Sequence, residues 1–523
     1  MRKIAHRRTG ALALAVAAAS ALAACSASST GSTGDAGTPR PGGTLRFGLD
    51  YTPSCLDPQQ AGEGPNLEVL ESLTYQDPRS GDIVPSLASS WEVSPDAKSF
   101  TFHLREGVTF SDGSALDASV VKDNLDGITK LGATASNSGA NLAGVTAVTA
   151  PDPRTVTVTF ASPNAQFLQA TSTPALAVLS RGSLAVPAAE RCAGKIVGTG
   201  PFVLTSYTAK QEIVLSKRQG YAWGPPSWQH TGDAYLDRIE IKVLPEAATR
   251  TGSLSSGQLD VSSNIAPQDE PQFDGNGFTL LSHNNPGVVL SLYPNERRPV
   301  LQDKTVRQAL QKAVNRPEVI STFLSPRYRA ATSVLSSTTP GYTDLGTALA
   351  YDPDGAKALL DAAGWRPGPD GVRVRDGVRL SLDVIFGRPQ SLELIQQQLK
   401  TVGIELTLRQ LQISELQSQF AAGNFDFFLL NSTRADPDVL RTLFGRAQLT
   451  DADPLKAALA TQAGSLDPQV RQRAAADAQR SLVEDAHVIP VNEQALVIGV
   501  SDKVHGIGFT ATSGVSFYDA WLS

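Results

Sequence analysis

At 523 residues the chain exceeds what one hydrophobic core sustains, so two to four domains are expected. Apolar residues make up 41% and charged residues 18%, which excludes a disordered chain. A formal net charge of -6 without a dominant basic face excludes nucleic acid as a partner.

The chain opens with Arg2, Lys3, Arg7 and Arg8, followed by a short alanine-rich apolar run over residues 11–24. That run is too short for a resident membrane helix but suits a cleaved export signal over residues 1–25. Its end, Leu22-Ala23-Ala24-Cys25, resembles the lipobox of bacterial lipoproteins. The resemblance implies acylation of Cys25 and anchoring on the extracytoplasmic face of the cell membrane. The alternative is an ordinary signal with an incidental cysteine, and Arg7-Arg8 leaves twin-arginine export open. Residues 26–41, rich in Ser, Thr, Gly and Ala, read as a flexible tether. No later stretch offers 18 consecutive apolar residues. Cys55 and Cys192 are the other two cysteines. In an oxidising compartment, with Cys25 spent on lipid, they are expected to pair and close a long loop; two buried thiols are the alternative.

Strand patterns follow at residues 43–49, 152–160 and 236–244, the last two with Val156, Val158, Phe160 and Ile239, Ile241, Val243 inward. Helical spacing appears over residues 303–315. Asp352-Pro353 through Gly364 reads as a complete helix with N-cap, first-turn proline and terminating glycine. Strands at 380–386 and 403–411 flank a helix at 391–402, and Asp467-Pro468 opens another helix to about residue 485. Strands alternating with helices predict an α/β fold.

Residues 83–96 read Ile-Val-Pro-Ser-Leu-Ala-Ser-Ser-Trp-Glu-Val-Ser-Pro-Asp. Residues 100–113 read Phe-Thr-Phe-His-Leu-Arg-Glu-Gly-Val-Thr-Phe-Ser-Asp-Gly. In order after them come Gly198-Thr199-Gly200-Pro201-Phe202, Gly257-Gln258-Leu259-Asp260, residues 303–310, Tyr351-Asp352-Pro353, Ala362-Ala363-Gly364-Trp365 and Gln398-Leu399-Lys400 leading to Gly403-Ile404. The ordered series resembles family 5 of the extracellular solute-binding proteins, the peptide- and nickel-binding components of ABC importers. Most of these residues read as structural: Trp91, Phe102, Leu104 and Phe110 as core, Asp112-Gly113 as a tight turn, Gly198 and Gly200 as special backbone positions.

The resemblance implies a two-lobed periplasmic-binding-protein-like fold of type II with an additional third domain. It maps lobe I onto residues 42–75, 195–285 and 490–523, accessory domain II onto 76–194 and lobe III onto 286–489. It implies a monomer that captures a small molecule or peptide between closing lobes and delivers it to an ABC permease in the membrane, with no cofactor. Cys55 and Cys192 fall near the boundary of the first two domains under this mapping, which favours their pairing.

Peptide-binding relatives pair an aspartate, preceded by alanine, with the ligand's α-amino group. The matching position is Asp436, in the segment running from Asn431 through Thr433, Arg434 and Ala435. Thr433 departs from the aromatic residue those relatives often carry there. Arg434 either neutralises Asp436 or meets a ligand carboxylate. Asp436-Pro437 reads equally well as a helix cap. Tyr293-Pro294-Asn295 resembles the strand end that crosses between lobes, where Asn295 lines the cleft or forms a turn. Tyr51 and Ser54, just after the first strand, form another possible cleft edge.

Among other ligands, nickel chelates suit the family. However, the five histidines after the signal, His103, His230, His283, His487 and His505, include no pair at metal-ligand spacing. An aromatic content of 6% counts against oligosaccharides. Of enzyme motifs, only Ser119-Val120-Val121-Lys122 matches a serine-hydrolase pattern, and its partner motifs are absent. No enzymatic activity and no metal site are expected.

Overall fold

Three sheets organise the molecule. The computed structural model describes residues 37–60, 68–387, 391–445 and 453–523. The chain divides into a leading unit, Met1–Thr38, and a body, Pro39–Ser523. The export signal, Cys25 and residues 26–36 of the tether lie outside the described residues. No described helix is long and apolar enough to cross a membrane.

The largest sheet has seven strands, ordered Phe278–Asn284, Ala495–Ser501, Val261–Ser262, Thr44–Leu49, Arg238–Val243, Glu212–Lys217 and Phe202–Thr208. Its centre is parallel: Thr44–Leu49 pairs Arg238–Val243 in register Phe47 to Ile241. The two-residue alternation read from sequence is what buries Leu45, Phe47, Leu49, Ile239, Ile241 and Val243 on one side. A four-stranded antiparallel sheet is ordered Ala88–Val93, Ser99–Leu104, Thr155–Phe160, Val145–Asp152. Its core is a ring cluster in which Phe167 meets Phe100 at 5.1 Å and Phe160 at 4.8 Å, both edge-on. Trp91 lies half-buried against the same core.

The third sheet has six strands, ordered Arg329–Ala330, Ile489–Glu493, Gly287–Pro294, Phe427–Thr433, Ser381–Phe386 and Glu405–Gln410. Ser381–Phe386 and Glu405–Gln410 run parallel, joined by the helix Leu392–Thr401, as the alternation of strand and helix required. The aspartate caps form as expected. Asp303 accepts from the Thr305 N–H, Asp352 from Gly355, and Asp467 from Gln469 and Val470. Ile489–Glu493 belongs wholly to this sheet, so the passage back to the seven-stranded sheet falls at Gln494 rather than at the expected residue 490.

Cys55 and Cys192 form a disulfide that closes a sequence separation of 137 residues. On the chain-entropy account a loop of that size contributes roughly 4–5 kcal/mol. The Leu56 N–H donates to the Cys192 carbonyl at 3.0 Å, and the buried Asp57 faces the buried Arg191 at 3.0 Å beside it. Gly198 and Gly200 are needed for space rather than for a left-handed backbone. A Cβ on either would lie 2.0 Å from the Val69 carbonyl oxygen or 2.1 Å from that of Glu68.

That close approach buries Glu68, whose carboxylate accepts from the Ser516 hydroxyl at 2.6 Å and the Phe517 N–H at 3.1 Å. Burial pushes its carboxyl from 4.5 up to about 7, against the pull of those hydrogen bonds. A raised carboxyl pKa means that its favourable contribution is complete below pH 4.5 and is lost as pH rises to about 7. Glu68→Gln keeps an acceptor for Ser516 and Phe517 and removes the charge. Its melting temperature is expected to exceed the parent's at pH 8 and to converge on it at pH 4.5. A constant difference across that range contradicts this assignment.

Candidate functional site

Within the described residues, the chain passes between the seven- and six-stranded sheets twice, at Asn285-Pro286 and at Gln494. The two passages lie side by side, with the Asn285 N–H donating to the Gln494 carbonyl at 2.7 Å. Residues 336–339 clasp them both. Ser337 donates its N–H and hydroxyl to the buried Glu493 carboxylate at 2.9 and 3.0 Å, and Asn284 donates to the same carboxylate at 3.2 Å. Thr338 donates to the Asn284 carbonyl at 3.0 Å, and the Gly287 N–H donates to Thr339 at 2.7 Å.

The end of the strand Phe427–Thr433 lies against this crossing. Thr433 pairs with Gly287, and the Arg434 N–H donates to the Pro286 carbonyl at 3.1 Å. From the other side, the Gln76 amide donates to the Ala435 carbonyl at 2.9 Å, and the Ala165 N–H donates to the Ala463 carbonyl at 2.9 Å. Between these contacts lies a cavity of about 190 Å³. Arg434, Asp436, Asp438 and Arg441 wall it from the six-stranded side, and Asn164, Gln166 and Gln169 from the accessory side. A larger groove of about 570 Å³ is lined only by residues between Asp123 and Arg191 and includes none of the expected ligand residues.

Asp436 is buried, and its Oδ1 accepts from the Asp438 N–H at 2.6 Å while its Oδ2 meets Arg471 at 3.4 Å. Burial raises its carboxyl to about 6, held from going further by the Arg471 charge. Asp438 is raised by burial as well, and Arg441 grips it with Nε–Oδ1 and Nη2–Oδ2 both at 2.7 Å. The expected Asp-Pro cap is displaced by two residues: the helix Val439–Phe444 has Asp438, not Asp436, at its N-cap position. Nothing in local sequence pointed to Arg471, which arrives from the helix Pro468–Glu484.

The other expected ligand residues do not line this cavity. Asn431 is half-buried on the strand leading to it. Tyr293-Pro294-Asn295 is not the crossing. Pro294 pairs with Phe427 at the far end of the strand, roughly 20 Å from Thr433 at about 3.3 Å per residue. Tyr293 stacks on Phe444 at 5.6 Å with its hydroxyl buried and unpaired, and burial pushes that hydroxyl's pKa far up. Asn295 has the turn role: its amide donates to the Gly423 and Phe425 carbonyls at 3.1 and 3.0 Å. Tyr51 packs half-buried against the core of the seven-stranded sheet, and Ser54 is exposed beside the disulfide.

A family model for bacterial extracellular solute-binding proteins, family 5 (middle), matches residues 82–448. The chain belongs to this family. It is 27% identical over 380 residues to the nickel-binding periplasmic protein of Escherichia coli, covering 69% of this chain and 70% of that one. NikA from Brucella suis, solved with Fe(III)-EDTA, superposes with a TM-score of 0.79 at 24% identity, covering 92% of this chain and all (100%) of NikA. DppA from Helicobacter pylori, solved with the peptide STSA, superposes with a TM-score of 0.75 at 22% identity, covering 92% and 98%. The family 5 protein described here therefore has the two-lobed, type II periplasmic-binding fold. It is an exported binder of small solutes.

Gly287 couples the crossing to the cavity in this family 5 protein. Its φ is +105°, and a Cβ there would lie 2.1 Å from the Ser432 carbonyl oxygen and 2.6 Å from the Arg434 nitrogen. Gly287→Ala is expected to cost on the order of 1–3 kcal/mol in chemical denaturation and to weaken solute binding by displacing Arg434. Unchanged stability and binding contradict the coupling.

Proposed function

We propose that this protein is the lipid-anchored receptor of an ABC importer. It captures a peptide between lobes that close about the paired crossing and hands it to a membrane permease. Its lobes are lobe I (42–75, 195–285 and the C-terminal segment), accessory domain II (76–194) and lobe III, a division that the separate sheets support when the last passage is taken at Gln494. Acylated Cys25 holds the monomer at the outer face of the cell membrane, each buried methylene contributing about 0.8 kcal/mol.

The observation that carries the peptide reading is the small polar cavity beside the crossing. Its accessory wall presents the side-chain amides of Asn141, Asn164, Gln166 and Gln169, which suit a ligand rich in backbone N–H and C=O groups. Among the described residues Phe160 is the one aromatic side chain in its wall, which gives an oligosaccharide little to stack on. Metal chelates are the second reading, favoured by the ligands named for relatives. Among the described residues no three His, Cys, Asp or Glu side chains are placed to hold a metal ion, so a metal would be gripped through its chelator. The hydrolase reading loses its geometry: the Ser119 hydroxyl donates to Asp117, while Lys122 pairs with Asp126.

Thermal unfolding against di- to octapeptides, sugars and nickel chelates tests this. A bound solute stabilises the native state by about 2.7 kcal/mol at a hundred times its dissociation constant. Peptides are expected to raise the melting temperature, and Cys25→Ala to release the protein from the membrane fraction. Stabilisation by sugars alone, or retention of the variant at the membrane, contradicts the corresponding part of the account.

A further inference from the structure

The charges around the cavity do not balance. Asp438 is gripped by Arg441 through two hydrogen bonds, and Asp436 is held by Arg471 and the Asp438 N–H. Gln462 bridges the two pairs: with its amide turned to satisfy both ends, it donates to Asp438 at 2.9 Å and accepts from Arg471 at 3.3 Å. Each carboxylate thus has its own guanidinium. Arg434 is a third guanidinium, half-buried in the cavity wall: its charge reaches Asp436 and Asp438 and helps to keep both ionised, but among the described residues its side chain makes no hydrogen bond and no close ion pair. Among the described residues the wall opposite carries no charged side chain, so the two carboxylates, each already gripped by another arginine, are the only counter-charges around the cavity. Gln166 on that wall keeps a buried Oε1 with no hydrogen-bond partner among the described residues, an acceptor that a ligand N–H would satisfy.

We propose that Arg434 receives a carboxylate of the captured solute, making a free carboxylate beside the crossing the group this protein selects. The inference rests on the reading that this cavity holds the solute. A guanidinium binds a carboxylate through two parallel hydrogen bonds, and the bond strengthens as closure removes water. A neutral end in the same place takes water from the guanidinium without giving it a hydrogen-bonded carboxylate, so the site discriminates by penalty as well as by attraction. Asp436, already engaged by Arg471, helps to fix the cluster rather than to hold an ammonium group. The carboxylate comes either from the C-terminus of a short peptide or from a chelator.

Calorimetric titration of the full-length, detergent-solubilised protein separates these sources. The probes are tetra-alanine, its C-terminal amide, its N-acetyl form and a nickel–histidine chelate, with nickel ion as control. Amidation is expected to weaken binding at least tenfold, and N-acetylation less than threefold. Arg434→Gln is expected to erase the difference between acid and amide. If acid and amide bind the parent equally, or if N-acetylation alone abolishes binding, the inference is overturned while peptide capture stands. If only the chelate binds, and Arg434→Gln weakens it tenfold, carboxylate recognition holds and the peptide reading falls. If the chelate is indifferent to Arg434→Gln, or no probe binds, the inference falls.

Discussion

One hydrogen bond between two neighbouring passages of chain sets the geometry on which the rest depends. Asn285 donates to the Gln494 carbonyl where the polypeptide leaves the seven-stranded sheet and where it returns. Under the proposed closure, two such passages let the sheets rotate about a common line while preventing them from separating. Glu493, buried and bonded to Ser337 and Asn284, ties both passages to the segment 336–339. The residues proposed to face solute are attached at this place. Thr433 pairs with Gly287, and Arg434 is bonded to Pro286, so a group bound to Arg434 acts close to the axis.

The electrostatics of the cluster follow from burial. Two carboxylates taken from water are raised in pKa, and each is kept serviceable by an arginine that no local rule would place there. Arg471 and Gln462 come from the helices Pro468–Glu484 and Pro454–Gly464, whose caps and lengths are set by their own Asp-Pro starts. The helices are therefore more than packing for the sheet edge. Arg471 engages Asp436 and Gln462 bridges it to Asp438, which leaves Arg434 as the guanidinium proposed to meet solute.

Much of the fold was legible because its signals are local. Alternation gave the strands around Phe47, Val158 and Ile241, and Asp-Pro pairs gave the starts of the helices at Pro353 and Pro468. The pairing of Cys55 with Cys192 followed from compartment and count. The site was legible only in part, because its contacts are long-range. Arg434 and Asp436 were marked by their sequence neighbourhood, yet their different fates depend on Arg471, thirty-odd residues away. Tyr293 lies away from the crossing, and of the two roles open to Asn295 the turn is the one formed, because a strand has two ends and the sequence does not say which one meets the crossing. The need for glycine at 198 and 200 was visible, but its cause, the carbonyls of Val69 and Glu68, was not.

The central claim is that solute draws two lobes together about the crossing at Asn285 and Gln494. Distance measurement between spin labels at exposed positions, Lys210 beside the seven-stranded sheet and Val378 beside the six-stranded one, tests it most directly. The account predicts a broad distribution without solute that narrows to its shorter distances when a stabilising peptide is added. A single distance, unchanged while that peptide is demonstrably bound, would contradict it.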